Sequence, residues 1–187
     1  MYGLKSGLAM SLVFVLASCG ATDRYPVSAP QVTEQVRIAF NSVEVRDVSL
    51  PSYAAADEIH RQDASGKLVS DRSVLWADSP ERAVALELSR NLAQLTRARV
   101  ASEPWPFESF PDARLEVRFE SLIAGPDGVF RTSGQYFVGV QDGQRERSGL
   151  FDLSVPFAVG GGPQAIAQAR GQIVLDLASF IARNGLR

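Results

Sequence analysis

Few residues in this 187-residue chain could carry bond chemistry. His60 is the single histidine and lies beside Glu58 and Arg61. A nucleophilic triad would need it near a serine and an aspartate. No serine, however, sits in a Gly-x-Ser-x-Gly turn, so His60 reads as a surface residue. The carboxylates mostly alternate with arginines or occupy turns, which marks solvated faces and not a general acid–base pair. Gly160-Gly161-Gly162 is followed by neither Lys nor Ser/Thr, so it is a chain connection and not a phosphate loop. One histidine and one cysteine argue against a transition-metal cluster of the usual composition. No catalytic residue, metal or cofactor is expected, and the chain does not read as an enzyme.

The remaining reactive group is Cys19, the one cysteine. Lys5 precedes an apolar run over Gly7–Leu16, and Ala17-Ser18 separates that run from Cys19. The run falls short of the about 20 residues that cross a bilayer and reads as a secretory signal over residues 1–18. A lone thiol in an exported protein has no disulfide partner. Leu16-Ala17-Ser18-Cys19 resembles the lipobox of bacterial lipoproteins. That resemblance implies cleavage before Cys19 and acylation of its sulfur and amino group. Several acyl chains anchor stably where one would not, since each buried methylene contributes about 0.8 kcal/mol. Gly20 follows the cysteine; by resemblance to lipoprotein sorting in diderm bacteria, where an Asp there favours the inner membrane, its absence implies the outer membrane.

Removing 18 of the 187 residues leaves 169, enough for one domain with a real core. The whole-chain charge of −2 offers no basic excess for nucleic acid. Residues 19–35, with two prolines and few large apolar groups, are expected to form a lipidated tether. A single domain is expected over 36–187.

Within that domain, Val36, Ile38 and Phe40, then Val43 and Val45, alternate with polar or small residues as in a strand. Pro51 closes it. Asp63-Ala-Ser-Gly66 turns a short polar hairpin, and Val74-Leu75-Trp76 is a further apolar segment. Ser79-Pro80-Glu81 opens a helix, with Ser79 as N-cap and Pro80 at the first position. Val84, Leu88, Leu92 and Leu95 form its apolar stripe. Trp105, Phe107 and Phe110 lie in a proline-punctuated loop. They either cover a core edge or form a contact surface for a partner. Leu115, Val117 and Phe119, then Tyr136, Val138 and Val140, then Phe151, Leu153, Val155 and Phe157 describe a three-stranded meander with one buried face. Ile166, Ala169, Ile173, Leu177 and Phe180 stripe a final helix from about Pro163 to Arg183, with Gly185 placed to cap it. The expected fold is α+β: a mixed, largely antiparallel sheet with two amphipathic helices packed on one face.

The order of these pieces resembles the ABC-type transport auxiliary lipoprotein family. The lipobox is followed by a strand ending in Leu50-Pro51-Ser52-Tyr53, a polar hairpin, Trp76-Ala77-Asp78-Ser79-Pro80, and Leu88-Ser89-Arg90-Asn91-Leu92 on a helix. The resemblance implies a non-catalytic docking component on the outer-membrane side of an envelope transporter that moves lipids or other hydrophobic molecules between membranes. Its implied partners are a mammalian-cell-entry (MCE) domain protein and inner-membrane transporter subunits. A homo-oligomer is compatible with it, and nucleic acid is not. Localisation would be the periplasmic face of the outer membrane, lipid-anchored. Cys19 carries over as the lipid attachment point, while Tyr53 and Trp76 match the pattern with no assigned chemistry. A structural or assembly lipoprotein for an outer-membrane complex is the alternative.

Overall fold

The computed structural model describes residues 21–187. The signal segment and Cys19 lie outside the described residues. Three long strands dominate: β7 (Ala113–Ala124), β8 (Val129–Val140) and β9 (Arg147–Pro156), paired antiparallel in sequence as the alternation predicts. The register slips once between Phe119 and Ser121. Gly134 faces that bulge, and a Cβ on it would come within 2.2 Å of the Arg118 carbonyl oxygen, so only glycine fits.

The other edge of β7 is shared. Its first half pairs in parallel with β2 (Ser42–Val45), which pairs in parallel with β6 (Arg99–Ser102). Its last residue pairs with β3 (Arg61–Gln62), which forms the expected hairpin with β4 (Leu68–Val69). Asp63 Oδ1 closes that turn by accepting from Ser65 N, Ser65 Oγ and Lys67 N. The sheet is thus mixed but mainly antiparallel. Two long helices cover one face: α2 (Pro80–Thr96) and α3 (Gly162–Asn184) pack on each other, α2 also on β2 and β6, α3 also on β8 and β9. Val84, Leu88, Leu92 and Leu95 are all buried, as the stripe predicts. So are Ile166, Ala169, Ile173 and Leu177 on α3.

Four local differences from the sequence reading have physical causes. Only Ser42–Val45 of the long apolar alternation joins a sheet; Val36–Asn41 runs extended beside the helix ends instead. A short helix α1 (Ser52–Ala55) follows Pro51, whose carbonyl accepts from the Ala54 and Ala55 amides. Ser79 makes no side-chain cap. Asp78 takes over at the start of α2, accepting from Ser79 N at 2.9 Å and pairing with Arg82. Gly185 caps α3 in a right-handed conformation, its N–H donating to Ile181 O.

The expected tether needs the largest correction. Asp23–Tyr25 is a strand, β1, paired in parallel with β5 (Val74–Trp76). From there the chain runs as a strap along α3. A Cβ on Gly171 would meet Ser28 O at 2.6 Å, so glycine permits the strap's close approach. Glu34 accepts from Ser179 Oγ at 2.6 Å and pairs with Arg183. Gln35 Nε2 donates to Gln94 O and Val36 N to Leu95 O, both at 2.8 Å. Those two carbonyls belong to the last turn of α2, where no intrahelical partner exists. Ala39 N then donates to Leu186 O, just past α3. The strap therefore replaces water at two helix ends while Tyr25, Val27 and Val32 pack against the core.

Candidate functional site

Two regions of the described surface could engage another molecule. They lie at opposite ends of the fold.

The first is the loop between β6 and β7. Phe110 is 69 % exposed and Phe107 is 42 % exposed. Trp105 is half-buried, donates from Nε1 to Ser109 O at 2.7 Å, and meets Phe107 edge-on at 4.9 Å between ring centroids. Arg99 lies over the Phe107 ring at 5.0 Å. Arg37, Arg97 and Arg99 surround a depression that Phe110 helps line. Asp112 in the same depression is occupied, accepting from the Asn41 and Ser42 amides. The three aromatics flagged by sequence thus split: Trp105 braces the loop, while Phe107 and Phe110 face outward beside arginines.

The second region centres on Arg170, which sequence reasoning missed. Its side chain is 2 % exposed and donates from Nη2 to Glu87 Oε1 at 3.2 Å, joining α3 to α2. Its guanidinium stacks 4.6 Å from the Trp76 ring centroid. Nε of Arg170, Oε2 of Glu87 and both side-chain polar atoms of Asn91 are buried without a partner. Burial pushes the Glu87 carboxyl above the ordinary range, against the opposing pull of Arg170. Burial likewise lowers Arg170, with Glu87 opposing.

On one side of this pair is a cleft of about 380 Å³, walled by Tyr25, Val27, Trp76 and Leu86, with Asp78 and Arg90 also lining it. On the other side Tyr53, His60, Trp76 and Phe130 enclose a small void against Arg170. Tyr53 accepts from Leu122 N at 3.3 Å through its hydroxyl. His60 is half-buried, with Nδ1 3.1 Å from Glu58 O. The structure therefore gathers Tyr53, His60 and Trp76 around Arg170. The available signal was position: Arg170 sits between Ile166 and Val174 on the buried face of α3, and Glu87 stands directly before Leu88 on α2. Among the described residues no group of His, Cys, Asp and Glu could hold a metal ion, and no helix is long and apolar enough to cross a membrane. Gly160 and Gly161 form a short 3-10 turn leading into α3.

Comparison with known proteins agrees with this architecture. A solved structure of an uncharacterised protein superposes with a TM-score of 0.68 at 21 % identity, covering 85 % of this chain and 96 % of its own. Protein XCC0632 from Xanthomonas campestris also gives 0.68, at 16 % identity, covering 86 % and 95 %. At such identities the likeness shows the fold. No curated protein matches the sequence. The family model described as "ABC-type transport auxiliary lipoprotein component" matches residues 25–182, from β1 to the last turn of α3. The chain therefore belongs to the ABC-type transport auxiliary lipoprotein family.

Proposed function

We propose that the protein is a non-catalytic docking component of an MCE-type envelope transporter that moves lipids or hydrophobic molecules between membranes. It is held on the periplasmic face of the outer membrane by acylated Cys19 and engages its partner through the β6–β7 loop. Family membership supports the transport role and the lipid anchor.

The observation that carries the docking reading is the placement of the loop. Cys19 is four residues before Asp23, at most roughly 14 Å of extended chain. Asp23 pairs with Val74 at the end of the sheet where β3 meets Ala124 and Tyr53 meets Leu122. The loop enters β7 at the opposite end, beside Ala113. β7 spans about 35 Å between these ends. An anchor at Cys19 thus holds one pole at the membrane and leaves Phe107 and Phe110 at the pole directed away from it. Exposed rings rimmed by arginine match the composition of protein contact surfaces, which are enriched in aromatics and arginine.

Growth with a clickable fatty acid and membrane fractionation test the anchor, and affinity purification of the acylated protein tests the partner. The wild type should carry label in the outer-membrane fraction and co-purify an MCE-domain protein, whereas Cys19→Ser should carry none. Co-purification of an outer-membrane barrel alone would favour the assembly reading instead.

A further inference from the structure

We propose that the groove at the anchored pole, between the β3–β4 hairpin and the turn that leads into α3, is a bilayer-contacting surface, with Leu68 and Val159 entering the lipid interface. The groove has a volume of about 810 Å³, against about 380 Å³ for the cleft beside Trp76. Ile59 and Ile166 are buried at its base. Val69, Val74 and Phe157 are half-buried along it. Val159 stands beside the start of α3 and is 67 % exposed, and Leu68, next to Val69 on the hairpin, is 40 % exposed. Single exposed apolar side chains are ordinary on a protein surface, but two of them flanking a continuous apolar groove mark a contact site.

The path of the chain decides the occupant. Val74 lines the groove and is also the strand partner of Asp23, whose N–H donates to Ser73 O at 2.7 Å. Cys19 is four residues before Asp23, at most roughly 14 Å of extended chain. On the anchoring reading above, on which this inference rests, the groove therefore lies within one short tether of the membrane surface. The tether makes contact with the bilayer intramolecular, so even a weak apolar contact is populated. The charges at the groove fit an apolar contact and not a headgroup site. One cation, Arg61, lines it together with two carboxylates, Asp63 and Asp71, so no basic excess attracts an anionic lipid. Both carboxylates are tied into their own turns, Asp63 by Ser65 and Lys67, Asp71 by Ser73, which holds them at the polar rim. Contact at this pole fixes the tilt of the body on its tether and holds the β6–β7 loop away from the membrane.

The test uses full-length acylated protein carrying Ala64→Cys, an exposed position in the groove. Cys19 is the only other cysteine, and its acylation leaves the new thiol as the single site for a nitrobenzoxadiazole dye. In phosphatidylcholine nanodiscs the dye emission should shift to the blue, and doxyl-labelled lipid should quench it. The same dye at Phe110→Cys should show neither effect. Adding Leu68→Asp and Val159→Asp should abolish both effects at Ala64. Both side chains are exposed, so the circular dichroism spectrum should match the parent and exclude misfolding as the cause. Replacing phosphatidylcholine by phosphatidylglycerol should leave the quenching unchanged. An unquenched Ala64 dye in acylated protein would overturn the proposal and leave the anchor intact. So would quenching that survives both aspartates, because the tether alone then brings the pole near lipid. Quenching that requires phosphatidylglycerol would overturn it in favour of an anionic-headgroup site. An intact mass without acyl chains would overturn the anchoring reading and this proposal with it.

Discussion

Arg170 and Glu87 meet across the α2–α3 interface with little water around them. Removing one partner of such a pair strands the other charge, at a cost of about 3–5 kcal/mol. Removing both with apolar residues of similar size is often neutral. Arg170→Met should therefore destabilise strongly in urea unfolding, while Glu87→Leu combined with Arg170→Met should recover most of the loss. If the double variant is no better than the single, the pair is not the source of the cost. The pH dependence follows from the direction of the Glu87 shift. Its carboxyl is raised in the folded state, so the fold binds that proton more tightly than the unfolded chain does. The contribution is present below the ordinary glutamate value, about 4.3, and is lost as pH rises through the raised folded value. Wild type should therefore lose stability relative to Glu87→Gln across that window. A constant difference between the two would show that Glu87 titrates as an ordinary surface carboxylate.

At the same scale, Gly171 lets the strap lie on α3. Gly171→Ala would put a methyl 2.6 Å from Ser28 O, tighter than real contacts allow. The strap amides of residues 27–32 should then exchange hydrogen faster, while the β7–β8 amides keep their protection. Unchanged exchange along the strap would mean that it adjusts without lifting.

Elements with long periodic patterns were legible in the sequence because one buried face dictates one spacing. α2, α3 and the meander each show it. Leu92, at the centre of the α2 stripe, is fully buried. Leu92→Ala should cost about 2–5 kcal/mol in chemical denaturation, whereas a loss under about 0.5 kcal/mol would place the stripe elsewhere. Short elements were only partly legible: the hairpin at Asp63–Gly66 and the segment Val74–Trp76 were, through turn residues and apolar clustering. β2 kept its alternation of Val43 and Val45 with Ser42 and Glu44, but not the burial this implied: all four residues are buried, because the strand is covered by parallel neighbours on both edges and by α2. β1 and β6 are too short to establish a period. The strap was hidden for a different reason. A polar, proline-bearing segment looks like a free linker unless its bonding partners are known, and here they are helix-end carbonyls some sixty to 150 residues away. The buried ion pair was hidden because charged helical residues normally face solvent. The loop aromatics were legible as candidates, but their exposure was not, since composition alone fits both a core edge and a contact surface.

For the whole molecule, strap and sheet together fix a polarity. The proposed lipid attachment point, Cys19, is four residues before β1, and the β6–β7 loop lies at the far end of β7. In the proposed arrangement the body is a spacer, with α2 and α3 running along it. Because Phe110 is 69 % exposed, Phe110→Ser should change stability by less than about 0.5 kcal/mol while weakening partner contact. The most direct measurement places a photo-crosslinking amino acid at Phe110, and separately at Leu68 on β4 near the anchored pole, in cells that acylate the full chain. Light should join the Phe110 variant to a transporter protein identified by mass spectrometry, and the Leu68 variant to none. The reverse pattern, or a transporter adduct at Leu68 alone, would contradict docking through the pole that faces away from the membrane.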